Sequence, residues 1–218
     1  MAPHVSAVCV VHRILDDGDG QVGRTAIDKR PVDGPVGVGR LGLAGDTQCD
    51  TKHHGGPYQA VYAYADEDAA WWAQRLGRTV TPGLFGENLR TSGLDLGAAV
   101  IGERWQIGDG PDTLVVQVTK PRVPCATFQR RMDEPRWVKR FTEAGRAGVY
   151  LKVEQTGTIS VGAPIVVLDR PQHAVTALEA FRYDDAAAMR RLLEAGDSGG
   201  LDLDADLRKR AALAAGRD

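Results

Sequence analysis

The chain has 218 residues, room for one domain of about 150 residues and an appendage, and it carries 27 Lys/Arg against 29 Asp/Glu for a net charge of −2. Split near His173, the first part holds 20 charges of each sign and the rest seven cations against nine carboxylates, so neither has the basic excess of a nucleic-acid binder. No run approaches the roughly 20 apolar residues of a membrane span, no stretch reads as a signal peptide, and the three scattered cysteines, Cys9, Cys49 and Cys125, point to reducing cytoplasm rather than a disulfide framework.

Along residues 1–170 the pattern is one of short strands rich in β-branched and aromatic residues, punctuated by glycine and proline. The strands are predicted at Val5–His12, Ala60–Tyr64, Arg104–Ile107, Leu114–Thr119, Gly148–Val153 and Ile165–Leu168. Such spacing predicts a mainly β fold, a barrel. Two helices interrupt it, one with Asp66 as N-cap and Gly77 past its end, the other with Pro135 in its first turn, Gly145 closing it, and Trp137, Val138 and Phe141 on one core-facing side. After Arg170-Pro171 the chain turns helical. Over 174–218 we expect a three-helix bundle: a capping box at Thr176-x-x-Glu179, then a helix capped by Asp184 or Asp185, carrying Met189, Leu192 and Leu193 and ending at Gly196, then one started by Asp204 with Leu207, Ala211 and Leu213. The tail's acidic balance speaks against a helix-turn-helix DNA reader and for packing or a homodimer contact.

Gly37-Val-Gly39-Arg-Leu-Gly42 matches the G-x-G-x-x-G expression of a dinucleotide site, but that motif needs a buried strand before it and a helix after it. Asp33-Gly-Pro35 and Ala44-Gly-Asp46 flank it instead, so it reads as a glycine-rich loop. Four other clusters carry polar chemistry: Ile27-Asp-Lys29-Arg30-Pro31-Val32; Gly45-Asp46-Thr-Gln48 followed by Lys52-His53-His54-Gly55-Gly56; Pro82-Gly-Leu-Phe-Gly86-Glu87-Asn88-Leu89; and Lys120-Pro-Arg122-Val-Pro-Cys125. In a barrel, loops from distant positions meet at one rim and can build a single site. In the last cluster a strand delivers the chain to two prolines, each of which fixes φ, so the thiol of Cys125 is aimed. The nearby cations Lys120 and Arg122 favour thiolate, the form that attacks electrophiles or ligates a soft metal. Cys49 with His53 and His54 lacks a fourth zinc ligand at a familiar spacing.

These segments, in this order, resemble the MOSC domain family, named for the C-terminal part of molybdenum cofactor sulfurase, and within it the small stand-alone YiiM-like branch. The resemblance rests on Ile27-x-Lys29-x-Pro31-Val32, Gly45-Asp46-x-Gln48, His54-Gly55-Gly56-Pro57, Phe85-Gly86-Glu87-Asn88-Leu89 and Pro121-Arg122-x-Pro124-Cys125, and it covers about residues 5–168. It implies a mixed β-barrel whose cleft holds a molybdenum–pterin cofactor, with Cys125 as the molybdenum ligand. By the same resemblance Lys29, Arg122 and the His54-Gly55-Gly56 turn would meet the cofactor's phosphate, and Asn88 and Thr119 the pterin edge or an oxo ligand. Pyridoxal phosphate binding is a further family-level expectation. The implied activity is reduction of N-hydroxylated compounds such as hydroxylaminopurines, with Glu87 or His54 as proton donor. A separate electron-donor reductase is required, because no C-x-x-C spacing for an iron–sulfur centre is present. Two rivals stand beside this: a non-catalytic carrier of the cofactor or its sulfur, and a hydrolase or transferase with Cys125 as nucleophile and His54 as base. Ala126-Thr-Phe128 departs from the family's usual aromatic followed by lysine, and Gly162-Ala163 from its common Gly-Asp.

Overall fold

The structure, a computed structural model, describes residues 2–18, 22–49 and 55–216. Its strands are β1 (His4–Val11), β2 (Leu15–Asp17), β3 (Gly23–Thr25), β4 (Lys29–Pro31), β5 (Val36–Gly39), β6 (Gly42–Leu43), β7 (Val61–Ala65), β8 (Leu89–Ser92), β9 (Arg104–Ile107), β10 (Leu114–Pro121), β11 (Val149–Gln155), β12 (Gly157–Ile159) and β13 (Ile165–Asp169). Its helices are α1 (Asp66–Leu76), α2 (Ala126–Met132), α3 (Trp137–Ala144), α4 (Ala177–Arg182), α5 (Ala186–Asp197) and α6 (Ala205–Ala215), and a 3-10 turn at Pro57–Gln59 precedes β7.

Alternation explains the long strands. Along β10, Leu114, Val116 and Val118 are buried while Val115 and Gln117 between them are half-buried, the period of two that a pleated strand imposes. All six strands expected from the sequence are present, each within two residues at its ends. Eight strands form one mixed sheet in the order β13-β9-β10-β11-β7-β8-β1-β4, with β7 and β8 parallel. β7 is buried along its whole length because both its faces are covered. Val61, Ala63 and Ala65 join the main apolar core, and Tyr62 and Tyr64 join a second, aromatic core with Trp72, Phe85, Phe128, Trp137 and Phe141.

The ladder does not close into the expected barrel. β1 pairs with β8 through His4–Val8 and with β4 through Cys9–Val11, which leaves only its first residues for the far edge. They meet the approach to β13 through an isolated bridge between His4 and Pro164 and through backbone bonds from Ile165 to Pro3, Val5 to Ala163 and Gly162 to Val5, so the far edges touch without forming a named strand pair among the described residues. The glycine-rich run at 37–42 is the β5–β6 hairpin, and a side chain on Gly42 would stand 2.6 Å from the Ala60 carbonyl.

Several helix ends differ from expectation for local reasons. Ala65 is the N-cap of α1, and Asp66 is its first residue, where its charge favours the helix N-terminus. Left-handed backbone at Asp133 and Arg136 turns the chain between α2 and α3, so Pro135 falls in the connection. α5 runs through Gly196 to Asp197. On α6 the buried set is Leu207, Ala211 and Ala214, spaced i, i+4, i+7, and Leu213 is 62% exposed. The capping box at Thr176 and the caps Asp185 and Asp204 form as read. The main core continues without a break from the sheet through Val175 into Met189, Leu192 and Leu207.

At the entry to that helical region, the Val175 N–H donates to His173 Nδ1 at 3.0 Å, and Nε2 lies 2.9 Å from the Ile101 carbonyl, an arrangement that requires neutral imidazole with its proton on Nε2. Burial pushes the His173 pKa below its ordinary value; the Ile101 carbonyl opposes this and Arg191 reinforces it. A depressed histidine contributes stability that is complete above the unfolded-state value of about 6.5 and is lost as pH falls toward the folded-state value. The urea midpoint should therefore drop between pH 7 and pH 5 by more in the wild-type protein than in His173→Gln; parallel curves for the two would refute the assignment.

Candidate functional site

The β10–β11 register passes from Val118 opposite Leu151 to Lys120 opposite Tyr150, so Thr119 is the extra residue of a β-bulge. Its hydroxyl lies 2.6 Å from the Tyr58 carbonyl and 3.0 Å from that of Tyr150. Thr119 thus pins the bulge to the 3-10 turn and does not line the cavity it was expected to serve. Past the bulge, Pro121 and Pro124 carry the chain to Cys125, whose extended backbone (φ −127°, ψ 174°) caps α2. No Ser, Thr, Asp or Asn announces this helix, which is why the sequence does not reveal it.

Cys125 is half-buried on the wall of a cavity of about 490 Å³, a volume within the range of small-molecule sites. The β2–β3 hairpin, β4, the segment Asp46–Cys49, and the rings of Tyr62 and Tyr150 supply other parts of the wall. Four cations, Arg24, Lys29, Arg122 and Arg130, face two carboxylates, Asp17 and Asp46, among the described lining residues.

Each cation has a different standing. Arg122 is buried, donates from Nη1 to the Phe85 carbonyl at 2.6 Å, and stacks 3.8 Å from the Phe128 ring centre and 5.0 Å from that of Tyr62. Burial opposes its charge, but Tyr62, Tyr150 and Cys125 around it outweigh that and hold its pKa above the usual value. Phe128, the residue at the family departure, is therefore the platform for this guanidinium. Lys120, expected beside the thiol, reaches away to Asp204 at 2.9 Å. Neighbouring residues on β4 alternate, so Lys29 lines the cavity while Arg30 is exposed and pairs with Asp28 at 3.5 Å. Arg130 donates to Asp17 at 2.7 Å, and Thr127 donates to the other oxygen of the same carboxylate at 2.7 Å. Arg24 is exposed, with no hydrogen bond or ion pair among the described residues.

The expected acid Glu87 sits elsewhere. It is fully buried, accepts from the Gly83 N–H at 2.8 Å and the Phe85 N–H at 3.0 Å, and closes a salt bridge with buried Arg90. Its carboxylate holds the 83–87 loop, where positive φ at Gly83 lets the chain pass against the Lys29 carbonyl, and it does not line the cavity. Asn88 lines the cavity, but both amide hydrogens go to Asp46 Oδ2 and the Cys9 carbonyl, and its oxygen accepts from the Tyr62 N–H. It is a strut. The residue sequence reading left out is Asp46, which gathers the Val11 N–H, Asn88 and Lys29; its only signal was its place beside Gly45 and Gln48. Gln48 accepts from the Gly56 N–H at 2.9 Å and donates to the Gln59 carbonyl, while Gly55 and Gly56, expected at the cofactor, are not among the residues that line the cavity. His54 lies outside the described residues.

The donor set fits the implied molybdenum–pterin group. A soft sulfur suits a soft, sulfur-rich metal centre, Arg24 and Arg122 suit an anionic phosphate, and the Tyr62 and Tyr150 rings suit a flat heterocycle. Among the described residues no group of three or more His, Cys, Asp or Glu could hold a bare ion, and no helix is long and apolar enough to cross a membrane.

Comparison with known proteins identifies the family. The MOSC domain profile matches residues 50–166. The uncharacterized protein YflK of Bacillus subtilis is 34% identical over 180 residues, which are 80% of each chain. A protein of Gibberella moniliformis named reductase is 34% identical over 152 residues, 67% of this chain but only 26% of that one. The crystal structure of YiiM from Geobacillus stearothermophilus matches with a TM-score of 0.76 at 28% identity, covering 97% of this chain and 98% of that one.

The Glu87–Arg90 pair makes a direct prediction. Arg90→Met leaves a fully buried carboxylate without its cation, so unfolding in urea should show a loss of about 3–5 kcal/mol. A loss under about 1 kcal/mol would mean the pair does not hold the loop.

Proposed function

This chain belongs to the MOSC domain family, and from that premise we propose that it is a molybdenum-cofactor reductase that removes oxygen from N-hydroxylated compounds, with hydroxylaminopurine-type bases as the substrate class. The observation that carries the reading is the half-buried Cys125 thiol on the wall of a cation-rich cavity beside Arg122. The name of the fungal relative supports redox chemistry, over the quarter of that protein that matches.

In this reading Cys125 ligates the metal, Arg24 and Arg122 face the phosphate, a role the resemblance also gave to Lys29, whose ammonium is held by Asp46 instead, and Tyr62 and Tyr150 flank the ring system. When bound, the cofactor supplies the two-electron chemistry, and the protein supplies position and electrostatics. The Asp17–Arg130 and Asp17–Thr127 bonds hold α2, and with it its N-cap thiol, against the β2–β3 hairpin. The buried guanidinium of Arg122 lies beside the thiol and favours its anionic form as a ligand. Aromatic and backbone walls exclude bulk water from one side of a bound substrate. Electrons come from a separate donor protein.

Metal analysis of protein from a host that makes the cofactor tests this. Cys125→Ser should lose tenfold or more of the bound molybdenum, and with it the turnover of a hydroxylamino base driven by a reduced viologen. Its stability should stay within about 1 kcal/mol, since the thiol is only half-buried. Wild-type molybdenum content in the variant would sink the ligand role, and loaded wild-type protein without turnover would mark a carrier instead.

A further inference from the structure

Reduction of an N-hydroxylated base, R–NH–OH + 2 e⁻ + 2 H⁺ → R–NH₂ + H₂O, needs a proton at nitrogen as the N–O bond breaks. The electrons come from an external one- or two-electron reductant by way of the bound redox group; the proton must come from the cavity wall or from solvent. Of the two acids expected from sequence, His54 lies outside the described residues, and Glu87 is buried behind the loop and engaged by backbone N–H groups and Arg90.

Elimination among the described lining groups is short. Arg24, Arg122 and Arg130 do not give up protons near neutral pH. Asp17 and Asp46 act as acceptors, the first to Arg130 and Thr127, the second to Val11, Lys29 and Asn88. The Tyr62 hydroxyl donates to the Ala147 carbonyl at 2.8 Å. Burial raises the pKa of both Tyr62 and Tyr150, and also that of the Cys49 thiol, which makes all three weaker acids. Cys125 is reserved for the metal in the reading above. Lys29 is left.

Its placement suits the task. Lys29 pairs with Val11 at the edge of the sheet, and its ammonium is held by Asp46, whose Oδ1 accepts from the Val11 N–H at 2.9 Å and whose Oδ2 also accepts from Asn88 at 2.8 Å. The side chains of Lys29 and Asp46 are 10% and 7% exposed, so carboxylate and ammonium are fixed together in a largely dry wall. An ammonium carries three donors; one goes to Asp46, and no other hydrogen bond from it to a described residue is formed, while the side chain lines the cavity.

We propose that Lys29 is the general acid that protonates the substrate nitrogen, with Asp46 as its positioning residue. The proposal rests on the reductase reading. Two electrons enter, the N–O bond breaks, one proton passes from Lys29 to nitrogen to give the amine, and the oxygen leaves as water with a second proton from solvent. Solvent at the mouth of the cavity then returns a proton to the Lys29 amine. Burial pulls the Lys29 pKa below the ordinary lysine value, against the opposing pull of Asp46, Cys9 and Glu87, and the Cys49 thiol also feels its charge. That brings the acid closer to the operating pH, where proton transfer is most effective.

The test uses the molybdenum-loaded protein with a reduced viologen and a hydroxylamino base, in wild type, Lys29→Arg, Lys29→Met and Asp46→Asn. Lys29→Arg keeps the charge but cannot give the proton; we expect full molybdenum content, KM within threefold, and kcat down 10²–10⁴-fold. Lys29→Met should match it in kcat, and Asp46→Asn should retain partial activity with a shifted alkaline limb. A second readout needs no turnover: in the ¹³C-methylated protein the Lys29 signal should titrate at lower pH than that of exposed Lys139. Wild-type kcat in Lys29→Arg, loss of molybdenum in that variant, or a Lys29 midpoint at or above that of Lys139 would each overturn the proposal. Loaded wild-type protein that turns nothing over would instead overturn the reductase reading, and this proposal with it.

Discussion

Asp46 is the carboxylate on which the cavity depends. It takes a backbone N–H from β1, an ammonium from β4 and an amide from the residue just before β8, three segments far apart in sequence. Neither a buried carboxylate nor a buried ammonium is tolerable alone, because stripping water from either costs several kcal/mol. Together, with Asp46 also accepting from the Val11 N–H and Asn88, they make a polar wall that can stay dry. The same bonds fix Asn88, whose oxygen in turn fixes the start of β7 through the Tyr62 N–H. Electrostatic satisfaction, more than apolar packing, shapes this side of the cavity.

The opposite side is built from apolar matter. Phe85, Phe128, Trp137 and Phe141 meet edge-on or tilted at centroid distances of 5.1–6.0 Å, and they seat α2 and the 83–87 loop on one platform. Arg122 is placed by that platform, stacked on Phe128 and bonded to the Phe85 carbonyl. The positive charge beside Cys125 is thus held by aromatic faces and a carbonyl, with no carboxylate paired to it among the described residues. A lysine in its place would lose the stacking and the planar fork together.

Legibility in the sequence follows the length scale of the signal. Strands of four to eight residues with a period of two, such as β1 and β10, were readable because alternation needs several residues to show. β2, β3, β4 and β6 span two or three residues and carry no such pattern. α2 was invisible because its cap is Cys125, a residue type that does not announce a helix. At the site, the sequence marked Cys125, Arg122 and Lys29, which do line the cavity, but it could not rank acidic residues. Glu87 and Asp46 both sit in glycine-flanked motifs; Arg90 is three residues from the first, but only the fold brings Lys29, 17 residues away, to the second. Thr119 misled for a similar reason: a hydroxyl beside the thiol segment looked like a ligand contact, and the one-residue bulge that gives it to backbone carbonyls leaves no trace in residue type.

The charges around the cavity also divide its work. Lys29 and Arg130 are each matched by a carboxylate, and Arg122 is held by a carbonyl and two rings, which leaves Arg24 as the cation of the described wall with no bonded partner. The two cations without a carboxylate partner among the described residues, Arg24 and Arg122, thus sit on the β2–β3 hairpin and on the segment leading into α2, whose N-cap is Cys125. Those two elements would be independent loops but for Asp17, which ends β2 and grips Arg130 and Thr127 of α2. α2 is too short to hold its own axis, since helices of under about 12 residues depend on tertiary contacts. The Asp17 carboxylate consequently fixes the distance between the thiol at the N-cap of α2 and the Arg24 guanidinium on the hairpin.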